Sequence, residues 1–368
     1  MKRTLSIGII FALMFGIFVS PQSANAALGL GSEAPDFSLP GVDGKTYSLK
    51  DFADSDLLLV IFTCNHCPTS MEYEERIKKL VTDYKKKSVA IVAISPNDPE
   101  ALRLDEMGHS AVGDDFEGMK IRAKQKAFNF PYLYDGEKQE VSEEYGPLVT
   151  PQVFLFDKSR KCRYIGAIDD SPNPNYVRAD YLRDAIDQLL EDKQVELKWT
   201  RAMGCSVKWS EKRIHVNMAR EGYAREMVFL EAITDDDLKV IRDNDSYLTR
   251  VIYLWAQGDK QATTDLPILA DINRMYRRGP FQMITINVDK PEAKVLEQLK
   301  AGHVSTINVQ YQPGDKKKMI ATIDPKWSGA TPLLMVIKPR GEVALQVEGE
   351  IDTLKLRRAI VAELKKQR

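Results

Sequence analysis

The chain has 368 residues, 43% hydrophobic and 29% charged, a length that predicts two domains with real cores. Its 52 Lys and Arg against 53 Asp and Glu leave a net charge of −1 without any basic tract, which argues against nucleic-acid binding. Four cysteines are too few for a disulfide-stapled scaffold, and 21 Gly and 18 Pro too few for wholesale disorder.

In chain order, Lys2 and Arg3 precede an apolar run from Ile7 to Val19, and Ala24-Asn25-Ala26 supplies the small-x-small pattern that signal peptidase cuts after. The expectation is a signal peptide over residues 1–26 and an exported product, in a bacterial periplasm, where disulfides form and persist. A retained anchor is the alternative, but Gly8 and Gly16 interrupt a run shorter than the ~18–20 residues a span needs. No stable membrane insertion is expected once the signal is cut.

Asp43-Gly44, between short apolar-polar alternations, predicts a β-hairpin. Leu57 to Phe62 is an unbroken apolar run of buried-strand length. Ile77, Leu80, Val81 and Tyr84 then recur at helical spacing, and Val89 to Ile94 is a second buried strand, so Leu57–Ile94 reads as a βαβ unit with parallel strands. Val153–Asp157 and Arg163–Ile168 read as an antiparallel pair and Tyr181–Leu190 as a closing helix. Residues 192–225, polar with scattered Trp199, Trp209 and His215, read as tail and linker.

The pattern then repeats. Leu248–Ala256 predicts a strand, Leu266–Tyr276 a helix, Met283–Asp289 a strand, Leu333–Lys338 and Val343–Glu348 an antiparallel pair, and Ile351–Leu364 a final helix. The economical account is an α/β protein with two tandem copies of one unit, over 27–191 and 226–368, each a central mixed sheet flanked by helices. Lys316-Lys317-Lys318 reads as a solvated loop, or else as an anionic docking patch.

Cys64 and Cys67 bracket two residues where a buried strand gives way to a helix. Free backbone N–H groups and the helix dipole favour a thiolate there, so Cys64 is the candidate nucleophile and Cys67 the resolving thiol. His66, with Asn65 beside it, would tune the thiolate if protonated. A structural zinc site would need two further ligands, yet Cys162, Cys205, His109, His215 and His303 are scattered singly, so no metal is expected. A permanent structural disulfide remains as the non-catalytic alternative, in a two-module binding protein.

Together Ala34-Pro35-Asp36-Phe37, Thr63-Cys64-Asn65-His66-Cys67-Pro68, Phe130–Asp135, Thr150-Pro151 before Gln152–Asp157, Ile168-Asp169-Asp170 and Gly204–Trp209 resemble a thioredoxin-fold redoxin of the AhpC/TSA type. The resemblance covers about Leu28 to Trp209. It implies a cis Pro151 facing the cysteine pair, with Thr150 and Pro151 as a platform for substrate backbone, and it makes Cys205 a candidate accessory thiol. Relatives with this tail often carry a cysteine where this chain has Val149. Peroxiredoxins share the hairpin opening, which keeps a thiol-dependent peroxidase as an alternative. Their P-x-x-x-T/S-x-x-C motif fits neither cysteine, since Val60 and Cys64 precede Cys67 at those spacings and Leu57 and Ile61 precede Cys64.

Ile252–Ala256 with Asp265-Leu266-Pro267 resembles TlpA-like thioredoxin domains, and that alignment puts Asp259 and Ala262 at the cysteine positions. Thr331-Pro332 keeps the proline platform, which suits a docking module or a scaffold. The expected function is thiol-disulfide exchange with protein thiols and disulfides. It would use the Cys64–Cys67 dithiol, no other cofactor, and an upstream thiol redox partner.

Overall fold

The computed structural model describes residues 28–289, 293–312 and 315–367, so the expected signal segment lies outside the described residues. The hairpin at Asp43-Gly44 joins β1 (Ser38–Pro40) to β2 (Thr46–Ser48), antiparallel, with Gly44 at φ +85° where a side chain would be strained. There follow β3 (Leu57–Phe62), α1 (Pro68–Tyr84), β4 (Val89–Ser95), α2 (Phe116–Lys126), β5 (Tyr132–Tyr134), α3 (Glu140–Tyr145), β6 (Val149–Thr150), β7 (Gln152–Phe156), β8 (Cys162–Gly166) and α4 (Tyr181–Leu190). The sheet order is β5-β4-β3-β7-β8, parallel from β5 to β3 and antiparallel at β7 and β8.

All six residues of β3 are buried, which is why the run shows no alternation: both faces of a central strand are covered. Leu57, Leu59 and Ile61 face one core with Tyr73, Ile77, Leu80 and Tyr84 of α1, while Leu58, Val60 and Phe62 face a second with Phe37, Tyr145 and Phe154. Each such side chain contributes about 1.5–3 kcal/mol by leaving water. Pro68 opens α1 at a position where its missing N–H costs nothing. Asp169 ties that helix down, accepting the Tyr73 hydroxyl at 2.8 Å and pairing with Arg76.

The chain continues through β9 (Cys205–Ser206) and α5 (Arg213–Ala224) into β10 (Glu231–Ile233), α6 (Asp235–Asp243), β11 (Thr249–Trp255), α7 (Lys260–Tyr276), β12 (Phe281–Asn287), α8 (Ala293–Ala301), β13 (Ile307–Tyr311), α9 (Lys316–Ile323), β14 (Leu333–Ile337), β15 (Val343–Glu348) and α10 (Thr353–Lys365). This second sheet runs β10-β13-β12-β11-β14-β15. Apart from the added edge strand β10, it repeats the order and directions of the first, so the protein is two tandem copies of one α/β unit. Trp255 and Trp327 are buried in its core.

Four sequence expectations change. Residues 192–225 are not a loose linker: β9 pairs with β6 of the first unit, and Arg213–Ala224 is helical. Helix α7 starts six residues before Leu266 and carries Pro267 inside it, a residue expected to break a helix. Lys316-Lys317-Lys318 opens α9 behind the N-cap Asp315, rather than lying in a loop, and Lys318 pairs with Asp235 at 2.8 Å. Strand register also moves the second copy's cysteine-equivalent positions. Phe62 opposes Gln152, the residue after Pro151, as Leu254 opposes Leu333, the residue after Pro332. Cys64 and Cys67 therefore correspond to Ala256 and Asp259, not to Asp259 and Ala262. The caps agree, since Cys67 is the N-cap of α1 and Asp259 that of α7.

The two units meet at the loop before α2. The Tyr276 hydroxyl donates to the Ser110 carbonyl at 3.0 Å, Arg357 Nη2 reaches the same oxygen at 3.2 Å, and Arg278 pairs with Asp105 at 2.6 Å. Tyr276→Phe should cost about 1–2 kcal/mol, because the hydroxyl both donates to Ser110 and accepts Arg357 Nε at 3.3 Å, while Arg357 Nη2 still serves Ser110. Urea unfolding with the same denaturant slope for both proteins would measure it; an unchanged midpoint would show the bond to be idle.

Candidate active site

Cys64 lies in the turn after β3 and Cys67 at the N-cap of α1. Thr150 and Pro151 sit opposite, between β6 and β7, and the Thr150–Pro151 peptide is cis. Cys64 Sγ is 3.0 Å from Thr150 Oγ1 and 3.8 Å from Ser70 Oγ, and the Cys67 thiol meets the Thr150 carbonyl at 3.4 Å. Cys205 joins them, because Thr150 and Cys205 are register partners in the β6–β9 bridge. Its backbone N–H donates to Cys67 Sγ at 3.3 Å. All three thiols are free, and Cys64 and Cys67 are buried while Cys205 is half-buried. Cys162 lies apart, buried at the start of β8 with its thiol toward the Tyr164 carbonyl.

Sequence reasoning missed the residue that organises the loop between the cysteines. Asp114 is fully buried, and its Oδ1 accepts the backbone N–H groups of Asn65 at 2.8 Å and His66 at 3.0 Å. Its Oδ2 lies 2.6 Å from His66 Nδ1 and accepts Asn97 Nδ2 at 2.7 Å. The Asn65 amide donates to Gly113 O at 2.7 Å, so both residues named as tuning groups are held by one loop. Asn97 also accepts the Lys208 N–H at 2.9 Å, which ties the tail to the same network, and Gln139 donates to Lys208 O at 3.0 Å.

These contacts set the charges. Burial opposes a charge on His66, but the Asp114 carboxylate and the negative sulfur of Cys67 outweigh it, and the imidazole pKa is raised. Burial likewise opposes Asp114's charge, yet His66, Asn97 and the Asn65 N–H hold its pKa below the usual carboxylate range. Among the thiols, burial, the Cys67 thiol and the Asp114 charge push Cys64 well up. Hydrogen bonds from the Cys205 and Cys64 thiols hold Cys67 far below the ordinary thiol range. The surroundings therefore favour negative charge on Cys67 over Cys64, the opposite order from the one helix-start placement alone suggests.

Cys64, His66 and Asp114 are metal-ligating types with ligand atoms within 4.8 Å of one another. The Asp114 carboxylate already serves four N–H donors, while His66 Nε2 is buried without a hydrogen-bond partner. In the second unit Thr331–Pro332 is also cis and faces Ala256 and Asp259, where Asp259 Oδ2 accepts the Ala256 N–H at 3.0 Å. The platform is kept there without a thiol.

Residues 30–165 match the family model described as AhpC/TSA family. This stretch is a thioredoxin-fold redoxin of that family. A thiol-disulfide oxidoreductase ResA of Geobacillus thermodenitrificans is 26% identical over 167 residues, covering 45% of this chain and 84% of the relative. Among solved structures, an uncharacterized conserved protein of Geobacillus kaustophilus is 39% identical, covering 50% of this chain and 93% of its own at a TM-score of 0.44. A hypothetical protein of Sinorhizobium meliloti is 35% identical, covering 50% and 97% at a TM-score of 0.45.

Proposed function

We propose that this redoxin is an exported thiol-disulfide oxidoreductase that reduces protein disulfides through Cys64 and Cys67, with no cofactor beyond that pair and an upstream thiol partner to recharge it. The observation that carries the reading is the meeting of both sulfurs with Thr150 beside the cis Pro151, at the N-terminus of α1. The name of the Geobacillus relative agrees with it. Exposed Leu148 and Met203, just before Val149 and Gly204, put apolar surface at the mouth, as suits an unfolded protein segment. Export rests on residues 1–26; no helix among the described residues is long and apolar enough to cross a membrane.

In the proposed sequence, Cys64 attacks one sulfur of a substrate disulfide whose backbone lies along Thr150 and Pro151. The Cys64 proton passes to the Cys67 thiolate, and the first substrate thiolate leaves. Cys67 gives that proton to the departing first thiolate and attacks the Cys64 sulfur; the Cys64–Cys67 bond forms as the mixed disulfide breaks, and the second substrate sulfur leaves as thiolate. The His66–Asp114 pair stabilises the negative sulfur through this exchange. The second unit, tied to Ser110, holds the loop that ends at Asp114, which is the part we assign to a thiol-free copy.

The deciding measurement is the reduction potential of the pair, by glutathione equilibration, acid quench and mass-resolved alkylation. A value near about −270 mV is expected for a thioredoxin-like reductant, and one near about −120 mV would reverse the direction of electron flow. A pair that glutathione buffers never open would make the bond structural. Rapid turnover of hydrogen peroxide would instead move the reading to a peroxidase.

A further inference from the structure

We propose that Cys205 is a third redox thiol, and that the disulfide made at Cys64–Cys67 moves to Cys67–Cys205 by internal exchange. This deepens the oxidoreductase reading above and rests on it. The placement of Cys205 is built by several elements. The β6–β9 bridge pairs it with Thr150, and its N–H donates to Cys67 Sγ at 3.3 Å. Cys67 Sγ receives the Cys205 N–H and meets the carbonyl of the same Thr150 whose hydroxyl lies 3.0 Å from Cys64 Sγ, which makes Cys67 the central sulfur of three. Gly204 lets the tail approach: a Cβ there would lie 1.9 Å from the Thr150 carbonyl oxygen, so no other residue permits this close a passage. Asn97, Gln139 and Asp98 then fix the next turn through both backbone groups of Lys208. Cys162, by contrast, is packed in the core of the first unit with its thiol toward the Tyr164 carbonyl.

The step balances without a co-reactant. In the dithiol form the hydrogen bond to Cys67, then burial, push the Cys205 thiol up, and closing Cys64–Cys67 removes the Cys67 charge from that balance. Cys205, giving up its proton, then attacks the Cys67 sulfur, the Cys67–Cys205 bond forms as Cys64–Cys67 breaks, and Cys64 leaves as thiolate and takes up the proton that Cys205 gave. No electron enters or leaves. The disulfide has moved from two buried sulfurs to one that is half-exposed, where a thiol donor can reach it. Attack by that donor on Cys205 expels Cys67, the sulfur whose negative charge its neighbours best support, and a low-pKa thiolate leaves fastest. Cys64 meanwhile is a free thiol in a still-oxidised protein.

The test uses the full mature chain in glutathione redox buffers, with acid quench, alkylation and peptide mass mapping. Cys64→Ser should still close one internal disulfide, Cys67–Cys205. Cys67→Ser should close none, because the central sulfur is gone, and Cys205→Ser should hold only Cys64–Cys67. In the oxidised wild type a fraction of chains should carry an alkylatable Cys64. The proposal is overturned if Cys64→Ser, with unchanged circular dichroism, keeps Cys67 and Cys205 both alkylatable at the ratio that closes the wild-type pair. Should Cys64→Ser fail to fold, oxidised wild type with Cys64 fully protected and Cys205 fully alkylatable overturns it equally. If Cys64–Cys67 exchanges with glutathione but Cys67–Cys205 never forms, only this inference fails. If no wild-type pair exchanges, the oxidoreductase reading fails with it.

Discussion

Asp114→Ala is expected to destabilise the protein by about 3–5 kcal/mol, the usual cost of removing one partner of a buried ion pair. The reason lies in what it strands. Four N–H groups converge on this carboxylate, from Asn65, His66 twice and Asn97, and water cannot reach them where Asp114 is fully buried. Asp114→Asn keeps the shape, but its own NH2 must then face one pair of these donors, so about 2 kcal/mol should be lost. Either change frees the loop between Cys64 and Cys67, and exchange with a disulfide peptide should fall on the order of 100-fold, as when a positioned proton carrier is removed. Urea unfolding and stopped-flow exchange check the two effects separately. Full exchange in a destabilised Asp114→Asn protein would remove the His66–Asp114 pair from the chemistry and leave it structural.

The same pair sets a pH signature. Asp114's pKa is lowered in the folded state, so its stabilisation is complete above the unfolded value of about 3.9 and fades as pH falls through the lowered one. His66's is raised, so its share is complete below the unfolded value of about 6.5 and fades as pH rises through the raised one. The stability gap between wild type and Asp114→Asn should be widest between these limits and narrow on both sides. On the alkaline side it should not vanish, because a neutral imidazole still donates from Nδ1. A gap that stays flat from acid to alkaline pH would mean that neither group changes charge on folding.

Much of the fold is legible in the sequence because its central strands are buried on both faces. Leu57–Phe62 and Leu248–Ala256 stand out as apolar runs, and α1 shows its buried face at helical spacing. The cysteine pair and Thr150-Pro151 carry their meaning locally, at a strand end and a loop. Asp114 does not. It belongs to the site through a contact 48 residues away in sequence, and nothing beside it shows periodicity. The only local signal is the doubled acid, where Asp115 accepts the Gly118 N–H as N-cap of α2 and leaves Asp114 unexplained. Gly204–Trp209 is legible as a motif, but the path of the tail is not, since it depends on Asn97 and Gln139 from distant loops. Three lysines in the first turn of α9 run against the helix dipole, so composition spoke for a loop while the Asp315 cap and buried Met319 and Ile323 decide for a helix. Residue spacing alone misplaced the second copy's thiol positions, because only strand pairing fixes which residue faces a proline.

Gly204→Ala should undo the tail's part of the site while sparing the fold. The added methyl would sit 1.9 Å from Thr150 O and 2.6 Å from Thr150 C, both backbone atoms of a segment held by the cis Pro151 and by β7. Neither side can yield as a flexible side chain would, so the clash must open the β6–β9 bridge, at a cost of about 1–3 kcal/mol. The cores of both sheets lie elsewhere, and the unfolding transition should remain cooperative. What changes is local. Cys67 loses the Cys205 N–H and thiol that support its negative charge, so its pKa should rise, and Cys205 should alkylate faster as it swings outward. Attack by Cys64 on a substrate disulfide depends on Cys67 taking its proton and should persist, while the Cys67 step that follows slows and mixed disulfides accumulate. Trapping with a single-cysteine peptide reads this directly. Unaltered alkylation rates for Cys67 and Cys205 would show that the tail accommodates a methyl group, and that the close passage at Gly204 does not set the sulfur geometry.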